Sequence, residues 1–260
     1  MSLSLMEVCA LSSGSSGNCF FIEADNGSSM LVDVGISCKQ VIERLDLIGK
    51  KPEKIGGIFI THEHTDHIRG VDVFARKFNI PVFATSGTFK DRFIVDDELV
   101  NEIDNTDILK FKGIQVEAFS KSHKAADPVS FSVMEKNKRV SVITDSGFAC
   151  VNIQSHIKDA DFLFLESNHD EKMLLEGRYP WPTKKWIKSD LGHLSNNQAS
   201  LAVLEHAPKK LKNIILSHIS ENNNTPSVAL ESFKILGERK DLKPIVSLST
   251  REMPTQLFRI

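Results

Sequence analysis

The residues best suited to chemistry lie in one short run, Thr61-His62-Glu63-His64-Thr65-Asp66-His67. This run places three of the chain's 9 histidines beside a carboxylate. Because it follows a predicted strand, the chain turns there and alternate side chains can point into one cleft. We expect His62 and His64 to bind one divalent ion, while Asp66 and His67 reach a second. Imidazole suits zinc, manganese or iron, and the carboxylate tolerates the harder ions of that set.

Three later residues stand at the carboxyl ends of predicted apolar strands, namely His123, Asp145 and His218. Taken alone, each such residue is more often a cap or a surface residue. Loops after strands also build functional sites, and a two-metal site needs more ligands than one loop supplies. Together with the histidine-rich run, these three residues are therefore predicted to be further ligands.

Short strands alternating with helices must position these side chains. Strands are predicted over 6–11, 19–24, 30–34, 54–60, 81–84, 113–118, 129–135, 139–144, 162–166, 213–217 and 244–247. Helices are predicted over 39–48, 68–78, 196–205 and 227–236. Two halves of this kind predict two sheets packed face to face with helices outside, and polar strand ends along one edge.

The composition is that of a soluble globular protein, with 260 residues, 41% hydrophobic and 25% charged. It has no apolar run long enough for a membrane span and no signal peptide, which predicts a cytoplasmic protein without membrane contact. One domain is expected over 1–260, with residues 1–5 dispensable.

The cysteines (Cys9, Cys19, Cys38, Cys150) are far apart, as is typical of reduced structural thiols. A net charge of −2 argues against a high-affinity nucleic-acid scaffold but not against a nuclease whose metal ions meet the phosphates.

The order of the motifs resembles the five signature motifs of the metallo-β-lactamase fold. These are Leu31-Val32-Asp33-Val34-Gly35, the histidine-rich run, His123, Asp145 and His218. The resemblance covers essentially the whole chain. It implies an α+β protein with the metallo-β-lactamase fold, a four-layer αββα sandwich of two mixed sheets.

The same resemblance implies how the ligands divide between two divalent ions, with zinc, manganese and iron all compatible. One ion would be bound by His62, His64 and His123, the other by Asp66, His67 and His218, and Asp145 would bridge them. Asp33, with Thr61 and Ser220, would orient these ligands through hydrogen bonds.

Four further motifs are similar to the bacterial WalJ/YycJ (VicX) family, whose members are usually encoded beside a cell-wall two-component system. The motifs are SGSSGN at 13–18, ESNHD at 166–170, GHLSN at 192–196 and HISENN at 218–223. Some members are described as 5′-to-3′ DNA exonucleases, which implies a nucleic-acid substrate, DNA rather than RNA. The residues expected to contact it are Ser13, Ser15, Ser16, Asn18, His169 and Asn222.

The implied reaction is hydrolysis of a phosphodiester. Two ions about 3.5–4 Å apart can share a water molecule and lower its pKa towards neutrality. Asp66 could accept the proton of that water. By similarity to RNase Z, His193 would give a proton to the leaving alkoxide, and Glu166 would orient His193 and favour its charged form. The alternative is that His193 only caps a helix with Ser195.

Several other interpretations stay open. His169 either contacts substrate or pairs with Asp170, and the serine-rich loop either contacts phosphate oxygens or serves only as a turn. The segment 184–188 (KKWIK) could be a ridge that contacts a nucleic-acid strand, and Lys209, Lys210 and Lys212 could form a second basic cluster. Alternatively, both could be solvated surface.

Alternative functions are an RNase Z-like ribonuclease, a small-molecule phosphodiesterase, a glyoxalase-like thioester or lactone hydrolase, and a non-catalytic regulatory partner. The short interval between Asp145 and His218 leaves no room for the inserted domain of RNase J-type nucleases.

Overall fold

The computed structural model describes residues 5–260. Their contacts divide them into two compact units. Residues 5–120, 125–138 and 250–260 form unit 1, and residues 121–124 and 139–249 form unit 2. The prediction of a single domain stays a prediction, and residues 1–4 of the predicted dispensable extension lie outside the described residues. Within 5–260, no helix has both the length and the apolar character that crossing a membrane requires.

Unit 1 contains a mixed sheet of seven strands. They are β1 (Glu7–Ser12), β2 (Cys19–Glu23), β3 (Ser29–Val32), β4 (Ile55–Phe59), β5 (Val82–Thr85), β6 (Val100–Ile103) and β14 (Phe258–Arg259). Their order is β14-β1-β2-β3-β4-β5-β6. The pairs from β14 to β3 are antiparallel, and those from β3 to β6 are parallel. Every residue of β4 is buried, as expected for a parallel strand covered on both faces.

Three more strands of unit 1 pair antiparallel with one another, namely β7 (Ile108–Phe111), β8 (Ile114–Ser120) and β9 (Val129–Glu135). Phenylalanines join them to the seven-stranded sheet. The Phe59 ring stacks on Phe83 with centroids 4.6 Å apart and meets Phe111 and Phe131 edge-on at 5.3 and 5.6 Å. Offset-stacked and edge-on contacts are the favoured aromatic geometries. Within unit 1, strands therefore pack face to face, as the sequence predicts.

The helices of unit 1 are α1 (Cys38–Leu47), α2 (Thr65–Ile68), α3 (Val71–Phe78) and α4 (Ser86–Asp91), with 3₁₀ turns at Pro52–Lys54 and Asp97–Leu99. The segment predicted to be helical over 68–78 is helical at Ile68 and over Val71–Phe78, but the helix is interrupted at Arg69 and Gly70, so it forms two separate elements. A Cβ at Gly70 would lie 2.0 Å from the Ile36 carbonyl oxygen, so the chain passes too close there for any other residue. The extra turn, α2, carries Asp66 and His67.

Unit 2 is built on parallel strands, β10 (Lys138–Ile143, all but its first residue), β11 (Phe162–Glu166), β12 (Asn213–Ser217) and β13 (Ile245–Leu248). Neighbours pair in the order β13-β12-β11-β10. The helices are α5 (Val151–Lys158), α6 (Glu171–Glu176), α7 (Trp181–Ile187), α8 (Asn196–His206) and α9 (Pro226–Ser232), followed by a 3₁₀ segment, Phe233–Glu238. The carboxyl ends of parallel strands meet at one edge of a sheet, where ligands bind in open α/β sheets.

Candidate metal centre

The histidine-rich run of unit 1 brings its ligand atoms together in pairs. His62 Nε2 lies 3.0 Å from His64 Nδ1, and Asp66 Oδ2 lies 3.4 Å from His67 Nε2. Two ligands of a tetrahedral zinc ion, each about 2.1 Å from it, lie about 3.4 Å apart. Both pairs therefore have the spacing of two ligands on one ion. They are the pairs that the sequence predicts within this run.

Asp33 holds the histidine-rich run in place through hydrogen bonds. Its backbone is left-handed, with φ of 60°. Its Oδ1 accepts the Thr61 backbone N–H at 2.8 Å, and its Oδ2 accepts the Thr61 hydroxyl at 2.9 Å and His67 Nδ1 at 2.7 Å. Because Thr61 donates to Asp33, its oxygen can accept from His62 Nδ1, 2.9 Å away. These bonds use the Nδ1 of both histidines and leave Nε2 as the nitrogen that would bind metal.

Asp33→Ala is expected to lower metal affinity by about 10- to 100-fold, because loss of a carboxylate that orients ligating histidines has effects of this size. Metal content after dialysis against a graded series of chelator concentrations measures the change. Asp25→Ala is the matched control, since Asp25 lies exposed in the same unit. Equal metal retention by the Asp33 and Asp25 variants would show that Asp33 does not position the ligands.

Asn18 has a role that the sequence did not reveal. It is fully buried, and its Nδ2 lies 3.3 Å from Asp66 Oδ2 and 3.2 Å from His67 Nε2. Its Oδ1 accepts the Ser13 hydroxyl and the Gly14 backbone N–H, both at 3.0 Å. Asn18 lies against two predicted ligands and connects them by hydrogen bonds to the serine-rich loop, and its predicted contact with substrate stays a prediction. In that loop Ser13 is buried, whereas Ser15 and Ser16 are exposed to solvent.

Gly35→Ala is expected to destabilise the protein by about 3 kcal/mol, the upper range for overpacking. A Cβ there would lie 1.6 Å from the Asp66 carbonyl oxygen, and the Gly35 N–H donates to the Asn18 carbonyl at 2.8 Å. The free energy of unfolding in urea gives the change. The control is Gly237→Ala, where a Cβ would meet nothing within 4 Å. If both variants unfold at the same urea concentration, the close approach at Gly35 is not a constraint.

In unit 2, three strand ends gather acidic and imidazole groups. Asp145 follows β10, Glu166 ends β11 and His218 follows β12. Asp145 and His218 both have left-handed backbones, with φ of 55° and 53°. Asp145 Oδ1 lies 3.4 Å from His218 Nδ1 and 3.6 Å from His193 Nδ1. These four side chains offer ligand atoms within 4.8 Å of one another.

Glu166 is the fully buried centre of this cluster. Its Oε1 accepts Nδ1 of His193 at 2.8 Å and of His218 at 2.9 Å, and its Oε2 accepts the backbone N–H groups of Ser146 and Leu194. Burial alone would raise the pKa of Glu166, but the charge of His193 and the hydrogen bonds from both histidines together lower it to about 2. Glu166 is therefore a carboxylate at neutral pH. It fixes both imidazoles through Nδ1, so Nε2 is the atom each ring can offer to an ion or a substrate.

His123 is held in the form that a metal ligand needs. Its Nδ1 donates to the Gly192 carbonyl oxygen at 3.0 Å. Burial lowers the pKa of His123 to about 3 despite the opposing charge of Asp145. The ring is therefore neutral at pH 7, and a neutral imidazole is the species that binds metal.

His193 does not cap helix α8. Ser195 caps it by accepting the Gln198 backbone N–H, and the Gln198 side chain completes the capping box. The His193 ring instead points to Glu166 and packs edge-on against the Trp186 indole, with centroids 5.4 Å apart. The geometry thus contradicts the capping alternative and pairs His193 with Glu166.

The remaining predicted residues also lie in unit 2. His169 is buried, its Nδ1 has no hydrogen-bond partner among residues 5–260, and burial lowers its pKa to about 4. Asp170 caps α6 through the Met173 N–H and forms no ion pair with His169 in the described part of the chain. Ser220 accepts the Asn223 N–H, and exposed Asn222 donates to the Tyr179 hydroxyl at 2.9 Å.

The fold and these clusters define a class of protein. The family model of the metallo-beta-lactamase superfamily matches residues 13–93. The metallo-beta-lactamase fold protein YhfI from Bacillus subtilis superposes with a TM-score of 0.74 over 98% of this chain and 100% of its own, at 12% identity. This similarity confirms the predicted fold class, the α+β metallo-β-lactamase fold. The superfamily and the histidine and aspartate clusters together indicate divalent metal ions.

Sequence relatives narrow the class. The chain is 36% identical to exodeoxyribonuclease YycJ from Bacillus anthracis, over 88% of each chain. It is also 36% identical to exodeoxyribonuclease WalJ from Streptococcus pneumoniae, over 84% of this chain and 83% of that one. The chain therefore belongs to the YycJ/WalJ family of the metallo-β-lactamase superfamily. Membership confirms the predicted family and the prediction of a metal-dependent hydrolase.

Proposed function

We propose that the protein is an exonuclease that hydrolyses DNA from the 5′ end, with DNA preferred over RNA. The observation that carries the proposal is the 2.8 Å hydrogen bond from His193 Nδ1 to the buried carboxylate of Glu166. An alkoxide leaving group needs a proton donor, whereas the thiolate released from a thioester leaves without one. The relatives named as exodeoxyribonucleases support the same substrate class.

We further propose that seven side chains bind two divalent ions, zinc or manganese, with iron also compatible. The proposed ligands are His62, His64 and His123 for one ion, Asp66, His67 and His218 for the other, and Asp145 for both. The ligand-pair spacing in the histidine-rich run and the neutral imidazole of His123 support this assignment. Bound ions of this kind lower the pKa of a water molecule and neutralise an oxyanion.

The chain's own residues would divide the remaining work. Asp66 would accept a proton from the attacking water. His193, held through Nδ1, would donate the Nε2 proton to the leaving alkoxide, and charged Glu166 would stabilise the imidazolium. The exposed hydroxyls of Ser15 and Ser16 would contact phosphate oxygens.

We infer that the enzyme acts in the cytoplasm. None of the four cysteines forms a disulfide within residues 5–260, and Cys9 and Cys19 are buried. Burial raises the pKa of Cys9 to about 11, so this thiol is inert. Cysteines that form no disulfide are typical of proteins from reducing compartments.

The proposal is tested with purified protein supplied with Mn²⁺ or Zn²⁺ and given matched substrates. These are duplex DNA labelled at the 5′ end, the same duplex labelled at the 3′ end, single-stranded RNA of equal sequence, and a thioester. Early release of the 5′ label as a mononucleotide is expected. Turnover of the thioester alone would refute the nuclease function, and no turnover of any substrate would favour a regulatory role.

A further inference from the structure

Helix α7 presents two tryptophans in opposite ways. Trp186, which the sequence suggested as the aromatic of a strand-contacting ridge, is half-buried and packs against His193. Trp181, at the start of the same helix, has 66% of its surface exposed. An indole is a large apolar surface, and leaving it in water forfeits the free energy that its burial would supply. The exposed aromatic of this helix, Trp181, is therefore the one available to a ligand.

Trp181 lines a surface cavity of about 380 Å³, which we call the α7 groove. Its lining residues are Leu175, Trp181, Lys184, Lys185, Lys188 and Ser189. The groove thus combines an apolar wall, made by the leucine and the indole, with three ammonium groups and no carboxylate.

The lysines are available to a ligand. Lys185 and Lys188 form no ion pair with any of residues 5–260, and both are exposed. The Lys184 ammonium donates one hydrogen bond to the Leu175 carbonyl, which leaves two further donors. The acidic residues that neighbour the lining along the chain, Glu176 and Asp190, are outside the lining itself. A bound group should therefore carry negative charge beside an apolar or aromatic body.

Helix α7 also connects the groove to the cluster of Asp145, Glu166, His193 and His218. The Trp186 indole lies edge-on to the His193 ring, and the charge of Lys188 is close enough to His169 to contribute to lowering its pKa. A ligand in the α7 groove would thus extend beside the proposed proton donor.

We propose that the α7 groove binds single-stranded nucleic acid, with a base stacked on Trp181 and phosphates contacted by Lys185 and Lys188. The proposal rests on the nuclease function proposed above and assigns a place to its substrate. Base stacking on an aromatic side chain tolerates every base, because each base has a π-face. Lysines contact the phosphates of the nucleic acid whatever its base sequence. An exonuclease that degrades a strand of any sequence needs this kind of contact.

Trp181→Ala is expected to raise the Kd for a fluorescently labelled single-stranded oligonucleotide at least five-fold, the low end for removal of one stacking side chain. Anisotropy in the Asp66→Ala background measures binding without degradation. Trp181→Phe, which keeps an aromatic face, should restore most of the affinity. Ile245→Ala is the matched control, since Ile245 is also 66% exposed in unit 2 and lies outside the groove.

Lys185 and Lys188 allow an independent test, through the salt dependence of binding. For the double variant Lys185→Ala/Lys188→Ala, the slope of log K against log salt should fall by about 1.4, the value for two phosphate contacts on a single strand. Trp181→Ala should leave that slope unchanged, because it removes no charge. A parental Kd for Trp181→Ala, or an unchanged slope for the lysine variant, would overturn the proposal.

These outcomes separate the groove from the nuclease function. Binding is measured without turnover, so an enzyme that degrades no nucleic acid would refute the proposed function and leave the groove's affinity as a separate result. Conversely, normal exonuclease activity combined with unaltered binding by the Trp181 variant would refute the groove alone.

Discussion

Replacement of Asp66 by alanine is expected to abolish DNA hydrolysis and to remove bound metal at the same time. Asp66 Oδ2 lies 3.4 Å from His67 Nε2, the spacing of two ligands on one ion, and accepts a hydrogen bond from Asn18. The variant would lose a ligand and the proposed acceptor of the water proton together. Because metal ions contribute several kcal/mol to this chemistry, we expect a loss of roughly a thousand-fold or more in kcat.

The measurement pairs the initial rate on 5′-labelled duplex DNA with the metal content of the same preparation. Treating the parent protein with a chelator should reproduce the loss of activity, and adding Mn²⁺ back should restore the parent but not the variant. Asp91→Ala is the control, because Asp91 is an exposed residue of α4 in the same unit. A variant that keeps its full metal content and loses only activity would make Asp66 a proton acceptor but not a ligand. Full activity would refute both roles.

Burial explains which strands the sequence reveals. β11, Phe162–Glu166, is buried at every position and is predicted with its observed bounds, because a continuous apolar run is distinctive. β6 and β7 were missed, since they are mostly exposed or half-buried, and Ile108 alone has 60% of its surface in water. The two-residue β14 pairs with β1 across almost the whole chain, a contact that no local pattern contains.

The candidate metal centre shows the same limit of what a local sequence pattern can predict. The candidate ligands were predicted because imidazoles and carboxylates at strand ends are rare enough to notice. The support given by Asn18 could not be predicted in this way, since its hydrogen bonds reach residues 48 and 49 positions away. The outward Trp181 and inward Trp186 depend on the rotation of α7, a helix of 7 residues. Such a short element has too few turns for an apolar period to define its buried face.

His193→Ala is expected to slow DNA hydrolysis by about 10²- to 10⁴-fold, the usual contribution of a general acid. The p-nitrophenyl ester of thymidine monophosphate should be hydrolysed at close to the parental rate, because its phenolate leaves without a proton. His193 Nδ1 donates to Glu166 Oε1 at 2.8 Å, so Nε2 is the atom that would reach the leaving group. The ratio of the two rates, measured for parent and variant, isolates proton donation from binding and from metal chemistry.

His193 also lies within a group of side chains that could hold an ion, with Nδ1 3.6 Å from Asp145 Oδ1, so the variant must be tested against a ligand role. A proton donor can be removed without loss of metal, whereas a ligand cannot. We therefore expect the His193 variant to keep the metal content of the parent and of His206→Ala, a control at a half-buried histidine of α8. If metal is lost and both substrates slow equally, His193 is a ligand, and the leaving alkoxide must take its proton from another group.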